Sequence, residues 1–413
     1  MPDALTVDGH RLLADLGRLA QLGAADSGGV SRVAYGDADL AARDLVRAWM
    51  RDAGLAVRVD AAGNSFGRRD GRTPSLAPIL IGSHTDTVPD GGRFDGALGV
   101  LAALEVARTL RDRRIELAHP LEVVDFQNEE GGLIGSKIVA GRFDAAALSL
   151  VAASGYTLGD GIRRLGGDPA RLDDARRAPG SIAAYLELHI EQGRILEEAN
   201  ADIGVVEGLV GIQYWEVVFE GVASHAGTTP MLGRRDALLA AARFVDAVNR
   251  VVTSIPGRHV GTVGRLAVFP GGANVIPGKA VLTLELRDLD LDVVARLFER
   301  IEREGRAIAN AAGTSVTFTP GLTNEPSLTD ERVQRAVTRA AESLGLRPHT
   351  MPSGAGHDAQ NMATICPSGM LFVPSVNGIS HSPAEFTRDE DVVNGANVLL
   401  AAVLAVDADL TRG

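Results

Sequence analysis

The sequence predicts an α/β fold interrupted by an inserted ferredoxin-like α+β domain. Two observations predict it. Apolar runs such as Ile79–Gly82 and Gly369–Val373 alternate with amphipathic stretches, which is the texture of strands and helices in one α/β unit. From about Gly211 that texture gives way to strand, helix, two strands around a Gly/Pro turn, helix and strand, a β-α-β-β-α-β order that reads as one sandwich. The expected division is residues 1–212 with 327–413 as one discontinuous domain and 213–326 as the insert, and a length of 413 residues exceeds what one ordinary core serves.

Residues 8–23 carry apolar positions at helical spacing, and a second helix is expected from Asp37 as N-cap to Gly54 as C-cap. The stretch 55–71 alternates as a hairpin around Ala61–Gly63. The run ending at His84 is a strand, and Gly96–Leu110 is a helix with Leu98, Leu101, Leu104 and Val106 facing inward. The stretch 120–132 is a buried strand that ends in Glu129 and Glu130, residues 133–166 are helical segments, and 168–180 is a charged loop. In Ala184–Gln192 a strand would place Glu187, His189 and Glu191 on one face. After the insert come a helix near 329–345, a strand ending towards His381, and a C-terminal helix.

The composition is 45% hydrophobic and 23% charged, ordinary for a globular chain. A net charge of −12 argues against nucleic acid and anionic membranes as partners. The single cysteine, Cys366, leaves no intramolecular disulfide and no multi-cysteine metal site, and reads as a packing residue. The N-terminus lacks a basic segment followed by an apolar core, and no run reaches the roughly 20 apolar residues of a membrane span, so a cytoplasmic protein is expected.

Two strands thus end in ionisable clusters, where ligands sit in open α/β sheets. His84 and Asp86 share a strand face, Asp95 stands where a helix begins, and Glu129, Glu130, His189 and His381 come from three further segments. Mixed histidine and carboxylate sets suit zinc, manganese or cobalt. Each residue also has a plainer reading: Asp95 as a helix cap, the glutamate pair as a solvated loop, His189 as a surface strand histidine, His381 as a hydrogen-bonded turn residue. Four such coincidences in one chain favour the metal site.

Eight motifs occur in order: GSHTDTVPDGGRFDGALGV from Gly82, NEEG from Asn128, ELHIEQG from Glu187, ASHAGTTPM from Ala223, GGANVIPG from Gly271, LELRDLD from Leu284, GAGHDA from Gly354 and ISHSPAE from Ile379. Together they resemble the amidase, hydantoinase/carbamoylase family, within the aminoacylase and carboxypeptidase-type dinuclear zinc hydrolases, over nearly the whole chain. The chain departs from the pattern after NEEG, where GGLIGSKIVAG is shorter than in many members.

The resemblance implies a zinc exopeptidase-like mixed-sheet catalytic domain and an insert serving as dimerisation and lid domain, hence a homodimer that closes over its substrate. It implies two divalent metal ions, zinc foremost with manganese, cobalt or nickel able to replace it, held by His84, Asp95, Glu130, His189 and His381, with Asp95 bridging. Asp86 would orient His84, Glu129 would be the general base, and His225 would assist the oxyanion from the partner subunit. Gln192, Asn274, Arg287, His357 and Gly356 would contact a small ureido or amide substrate bearing a carboxylate, with Asn274 near Arg287 in one hairpin and a salt bridge to Asp288 or Asp290 as the plainer reading of Arg287. The implied reaction is hydrolysis of N-carbamoyl-L-amino acids to amino acid, CO2 and NH3. N-carbamoyl-β-alanine or allantoate would fit the same machinery. A dipeptidase or aminoacylase of the same superfamily and an inactive metal-binding scaffold are the rival readings.

Overall fold

Three mutually parallel strands form the spine of the larger sheet. Ile79–His84 pairs in parallel with Leu121–Phe126 on one side and Ala184–Ile190 on the other. Ser368–Val373 extends the parallel run beside Ala184–Ile190. All four strands are buried along their whole length, as strands covered on both faces must be. Antiparallel neighbours make the sheet mixed: Ser65–Arg69 and then Ala56–Val59 at one side, Ile203–Leu209 at the other. The computed structural model describes residues 5–412. They divide into two compact units, one running to Glu207 and resuming at Leu328, the other spanning Gly208–Ser327.

In the first unit the helix Ala97–Asp112 is buried at every position from Ala97 to Leu110. It packs against the parallel strands and against the helices Gly9–Ala20 and Asp389–Arg412. Apolar side chains on one face would leave its other side wet; burial all round explains the run of Ala and Gly that lets neighbours approach. Asp389–Arg412 is long and apolar enough, by length and composition, to cross a membrane, which the sequence reading does not anticipate. Here its Val392, Ala396, Leu399, Leu400 and Val403 lie in the same core as the sheet.

Two local expectations change. Asp37 is the first residue of the helix Asp37–Asp52, with Gly36 at the cap position, so the side chain that would have capped the helix instead pairs with Arg164 at 2.7 Å. Ile203–Leu209 and Pro348–Ser353 are strands that a Gly-interrupted and a Pro-flanked sequence did not announce.

The second unit has the element order read from the sequence. Its antiparallel sheet runs Ser315–Asn324, Gly211–Glu220, Lys279–Asp288, Val260–Phe269. The helices Ala237–Thr253 and Leu291–Ala311 cover one face, capped by Asp236 and Asp290. Trp215, Val217, Phe219, Leu282, Leu284 and Leu286 alternate into that core with period two. A short ladder outside this sheet pairs His225 with Val275 and Ser224 with Ile276.

Candidate metal centre and active site

Four chain segments converge at the C-terminal ends of the parallel strands. His84 closes its strand, and the following turn leads to Asp95 and the helix at Ala97. Gly96, between them, has φ of +62°, and a Cβ there would lie 2.4 Å from the His84 ring. Only glycine serves at that position. Glu129 and Glu130 stand in the turn beyond Phe126, and His189 is the penultimate residue of Ala184–Ile190. His381, with φ of +52°, lies on the loop after Ser368–Val373.

Two donor groups result: His84, Asp95 and His189, and Asp95, Glu130 and His381, with the candidate ligand atoms of each group within 4.8 Å of one another. Asp95 belongs to both. Its Oδ1 lies 3.1 Å from His189 Nε2 and 3.7 Å from His84 Nε2, and its Oδ2 lies 3.2 Å from His381 Nε2. The imidazoles are prepared for metal. His84 Nδ1 lies 3.0 Å from the Asp86 carbonyl and His189 Nδ1 2.9 Å from the Ile190 carbonyl. Nδ1–H therefore donates to backbone in both, so Nε2 is the atom that can serve a metal, in His189 once its own proton is lost. Glu130 Oε1 is buried with no hydrogen-bond partner. An orphaned carboxylate oxygen beside four nitrogen and oxygen donors is what a divalent cation would satisfy.

Several neighbours hold these groups in place. The Asp86 carboxylate accepts the backbone N–H groups of Glu129 and Glu130, each at 3.2 Å. It approaches His84 Nδ1 only to 3.8 Å, so it is the backbone of Asp86, more than its side chain, that orients His84. Arg43, wholly buried, lies 3.7 Å from Asp86, 2.8 Å from Asp39 and 3.2 Å from Asp125, and donates to the Asp125 and Phe126 carbonyls. It is the counter-charge for three buried carboxylates. Glu385 accepts the N–H groups of Phe94 and Asp95 and the Ser380 hydroxyl. Neither Arg43 nor Glu385 was singled out from sequence; a buried arginine in mid-helix and the last letter of ISHSPAE carry no spacing signal of their own.

Gln192 reaches the centre: its Nε2 donates to Asp95 Oδ2 at 2.8 Å and its Oε1 is buried without a partner. His357 is buried with its ring 4.4 Å from that of His189 and its Nε2 unpartnered. Gly356 is exposed, and a Cβ there would meet nothing nearer than 3.4 Å. Glu191, expected on the face of Glu187 and His189, lies past the strand end and accepts the N–H groups of Ile195 and Leu196. Asp358, which follows His357, is a fully buried carboxylate beside the Ser136 hydroxyl.

The remaining three predicted residues are in the second unit. His225 Nδ1 accepts the N–H groups of Gly227 and Thr228, at 3.0 and 3.2 Å, which leaves the proton on Nε2 and makes that atom a donor. The Asn274 carbonyl accepts the Ala226 N–H at 2.9 Å, so Asn274 and His225 are neighbours. Arg287 is not beside Asn274, as the sequence reading had it. It pairs with Val260 while Lys279, next to the Asn274 turn, pairs with Phe269, a separation of roughly 26 Å along the strand. Nor is its salt bridge with Asp288 or Asp290; its Nε donates to Glu285 at 2.6 Å.

Crowding like charges without water sets the protonation states of the metal-free protein. Burial, then Asp358 and Glu130, push the Glu129 carboxyl well above the ordinary carboxylate range. Burial and Asp95 raise Glu130 to about 8. Burial opposes ionisation of Asp95, yet hydrogen bonds from His189 and His381 hold it well below the usual range. Burial lowers His84 to about 3. Burial works against protonation of His189 too, but the Asp95 hydrogen bond and charge raise it to about 9; the Asp95 hydrogen bond raises His381 to about 9.

These shifts give a sign to the pH dependence of the metal-free protein. Folding raises His189 and His381 above 6.5 and Glu130 above 4.5. Their stabilising protons are in place at low pH and are lost as pH rises through about 8 to 9. His84 and Asp95 act in the opposite sense, but their loss falls below pH 6.5. A metal replaces those protons. The gap in melting temperature between metal-loaded and chelator-stripped protein is therefore expected to widen by several degrees from pH 6.5 to 9. Parallel melting curves across that range would contradict this assignment.

The fold and this constellation define a metal-dependent hydrolase. The model of peptidase family M20/M25/M40 matches residues 80–405, and the chain belongs to that family, within its hydantoinase/carbamoylase amidase branch. It is 43% identical over 402 residues to an N-carbamoyl-L-amino acid amidohydrolase of Geobacillus stearothermophilus, covering 96% of this chain and 98% of that protein. It is 36% identical over 422 residues to a ureidoglycolate hydrolase of Arabidopsis thaliana, covering 99% and 89%. Among solved structures, an amidase of the hydantoinase/carbamoylase family from Burkholderia multivorans superposes with a TM-score of 0.91 at 41% identity, over 98% of each chain.

Proposed function

We propose that this chain hydrolyses the linear C–N bond of N-carbamoyl-L-amino acids, consuming one water and releasing amino acid, CO2 and NH3. The observation that supports the reading most is Asp95, a single carboxylate shared by two donor groups with Glu129 buried alongside; the names of the relatives supply the substrate class. Two divalent cations, zinc foremost, would be held by His84, Asp95 and His189 and by Asp95, Glu130 and His381, and when bound they supply a polarised carbonyl and a water acidic near neutral pH.

The chain's own groups then do the following. Glu129 takes the proton of the attacking water and passes it to the leaving nitrogen. Asp86 fixes the turn bearing Glu129 through two backbone N–H groups. Gln192 offers its free Oε1 to a ureido N–H, and His357 faces the same substrate. His225, protonated at Nε2, donates to the developing oxyanion, and Arg287 binds the substrate carboxylate with Asn274 assisting. The distance between Arg287 and the His225–Asn274 pair within one chain supports their serving the substrate from different copies, as a homodimer would allow.

Ammonia release tests the reading. Chelator-stripped protein, reloaded with Zn, Mn or Co, is assayed on N-carbamoyl-L-amino acids, N-carbamoyl-β-alanine, allantoate and dipeptides. Metal-restored ammonia from the N-carbamoyl-L-amino acids is the expected result. Release from allantoate alone would assign the allantoate-type alternative, dipeptide cleavage alone would move the protein to the peptidases, and silence with metal bound would leave a metal-binding protein.

A further inference from the structure

Beyond the turn that carries Glu129 and Glu130 lies a cavity of about 450 Å³, within the usual size of a small-molecule site. Its near wall is Asn128, Gly131 and Gly132, the residues flanking the two glutamates. Its apolar lining includes Ile134, Phe143, Leu150 and Val151. Leu150 and Val151 are 61% and 67% exposed and lie on the cavity wall where an apolar ligand would cover them.

Two cations line the same cavity, Lys137 and Arg142. They flank the end of the helix Ile134–Val139, with the Arg142 N–H donating to the Lys137 carbonyl at 2.8 Å. Among the described residues neither side chain forms an ion pair. The one carboxylate on the lining, Asp144, is engaged with the Ala146 N–H at 2.9 Å. Half-burial and the nearby Arg142 lower the proton affinity of the Lys137 amine, the mark of a positive charge without compensation. Another cavity, about 380 Å³ at the opposite ends of the parallel strands, also holds arginines, but there each has its carboxylate: Arg332 with Asp330, Arg335 with Glu331, Arg339 with Asp409. Unlike this second cavity, the first pairs cations outside any ion pair with exposed apolar surface.

We propose that this cavity binds a carboxylate carried on a short apolar body, its anion between Lys137 and Arg142 and its body against Phe143, Leu150 and Val151. Two sources share that chemistry: the acidic side chain of an N-carbamoyl substrate, which rests on the function proposed above, and a separate monocarboxylate, which does not.

The test uses the metal-loaded protein, hexanoate as probe and hexanol as neutral control, with the double variant Lys137→Gln/Arg142→Gln. Thermal melting checks that the variant is folded, and Lys137→Gln alone serves if the pair is not. Saturable binding of hexanoate by calorimetry, weakened about tenfold or more in the variant, is expected, with hexanol unaffected. In parallel, kcat/KM is measured on N-carbamoyl-L-glutamate and N-carbamoyl-L-alanine. A loss of about tenfold confined to the glutamate derivative assigns the site to the substrate. Weakened hexanoate binding with both substrates unchanged assigns it to a separate ligand. If no ureido substrate turns over, the binding arm still decides. Hexanoate binding that is absent, or equal in wild type and variant, together with unaltered substrate preference, overturns the proposal.

Discussion

Glu129→Gln is expected to lower kcat by about 10²–10⁴-fold while leaving metal content unchanged. The two halves of that result have separate causes. Gln is isosteric but cannot take a proton, so the step that needs a base loses it. Metal content should hold because Glu129 is in neither donor group, although its Oε2 lies only 3.6 Å from His84 Nε2. Folding should not suffer either. In the metal-free protein the Glu129 carboxylate is disfavoured by burial and by four neighbouring carboxylates, Asp358, Glu130, Asp86 and Asp95, and a neutral amide relieves that repulsion. The measurements are single-substrate kinetics with metal analysis of the same preparation. Loss of metal in step with loss of rate would make Glu129 a ligand; retained rate would remove it from the reaction.

The candidate centre was legible because its donors sit where sequence pattern is strongest. His84 and His189 end buried apolar runs, and polar residues at such ends are conspicuous. The β-α-β-β-α-β insert was legible for the same reason: Trp215, Val217 and Phe219 alternate cleanly, and Asp236 and Asp290 cap helices where the periodicity begins. What sequence left hidden is what depends on distance between segments. Arg43 answers Asp39 four residues earlier, a pair any helix surface would show, and nothing local says that Asp86 and Asp125 complete it in the interior. Glu385 meets the Asp95 N–H across 290 residues. Glu191 was placed with His189 by alternation, but alternation holds only while the strand lasts, and the strand ends at Ile190. Asn274 and Arg287 seemed close because they share a hairpin; register puts them at opposite ends of it.

Asp95→Asn is expected to reduce metal content at both positions and to leave less than about a thousandth of the activity, the scale on which losing a polarising ion is felt. The contrast with Glu130→Gln carries the argument. Glu130 belongs to one donor group and Asp95 to both, so Glu130→Gln should empty one position and spare the group of His84, Asp95 and His189. The asymmetry is not a matter of burial, since both carboxylates are largely withdrawn from water. It follows from geometry: Asp95 directs Oδ1 to His189 and Oδ2 to His381, at 3.1 and 3.2 Å, with its backbone N–H held by Glu385. Metal-free stability should change far less than metal content. The variant loses the Asp95 hydrogen bonds to two histidines, but Glu129, Glu130 and Glu385 are each relieved of a repelling charge, and the two effects oppose. Metal analysis per chain, with melting curves before and after chelation, separates these outcomes. Full metal content in Asp95→Asn, or complete loss in Glu130→Gln, would show that the two positions do not share this carboxylate.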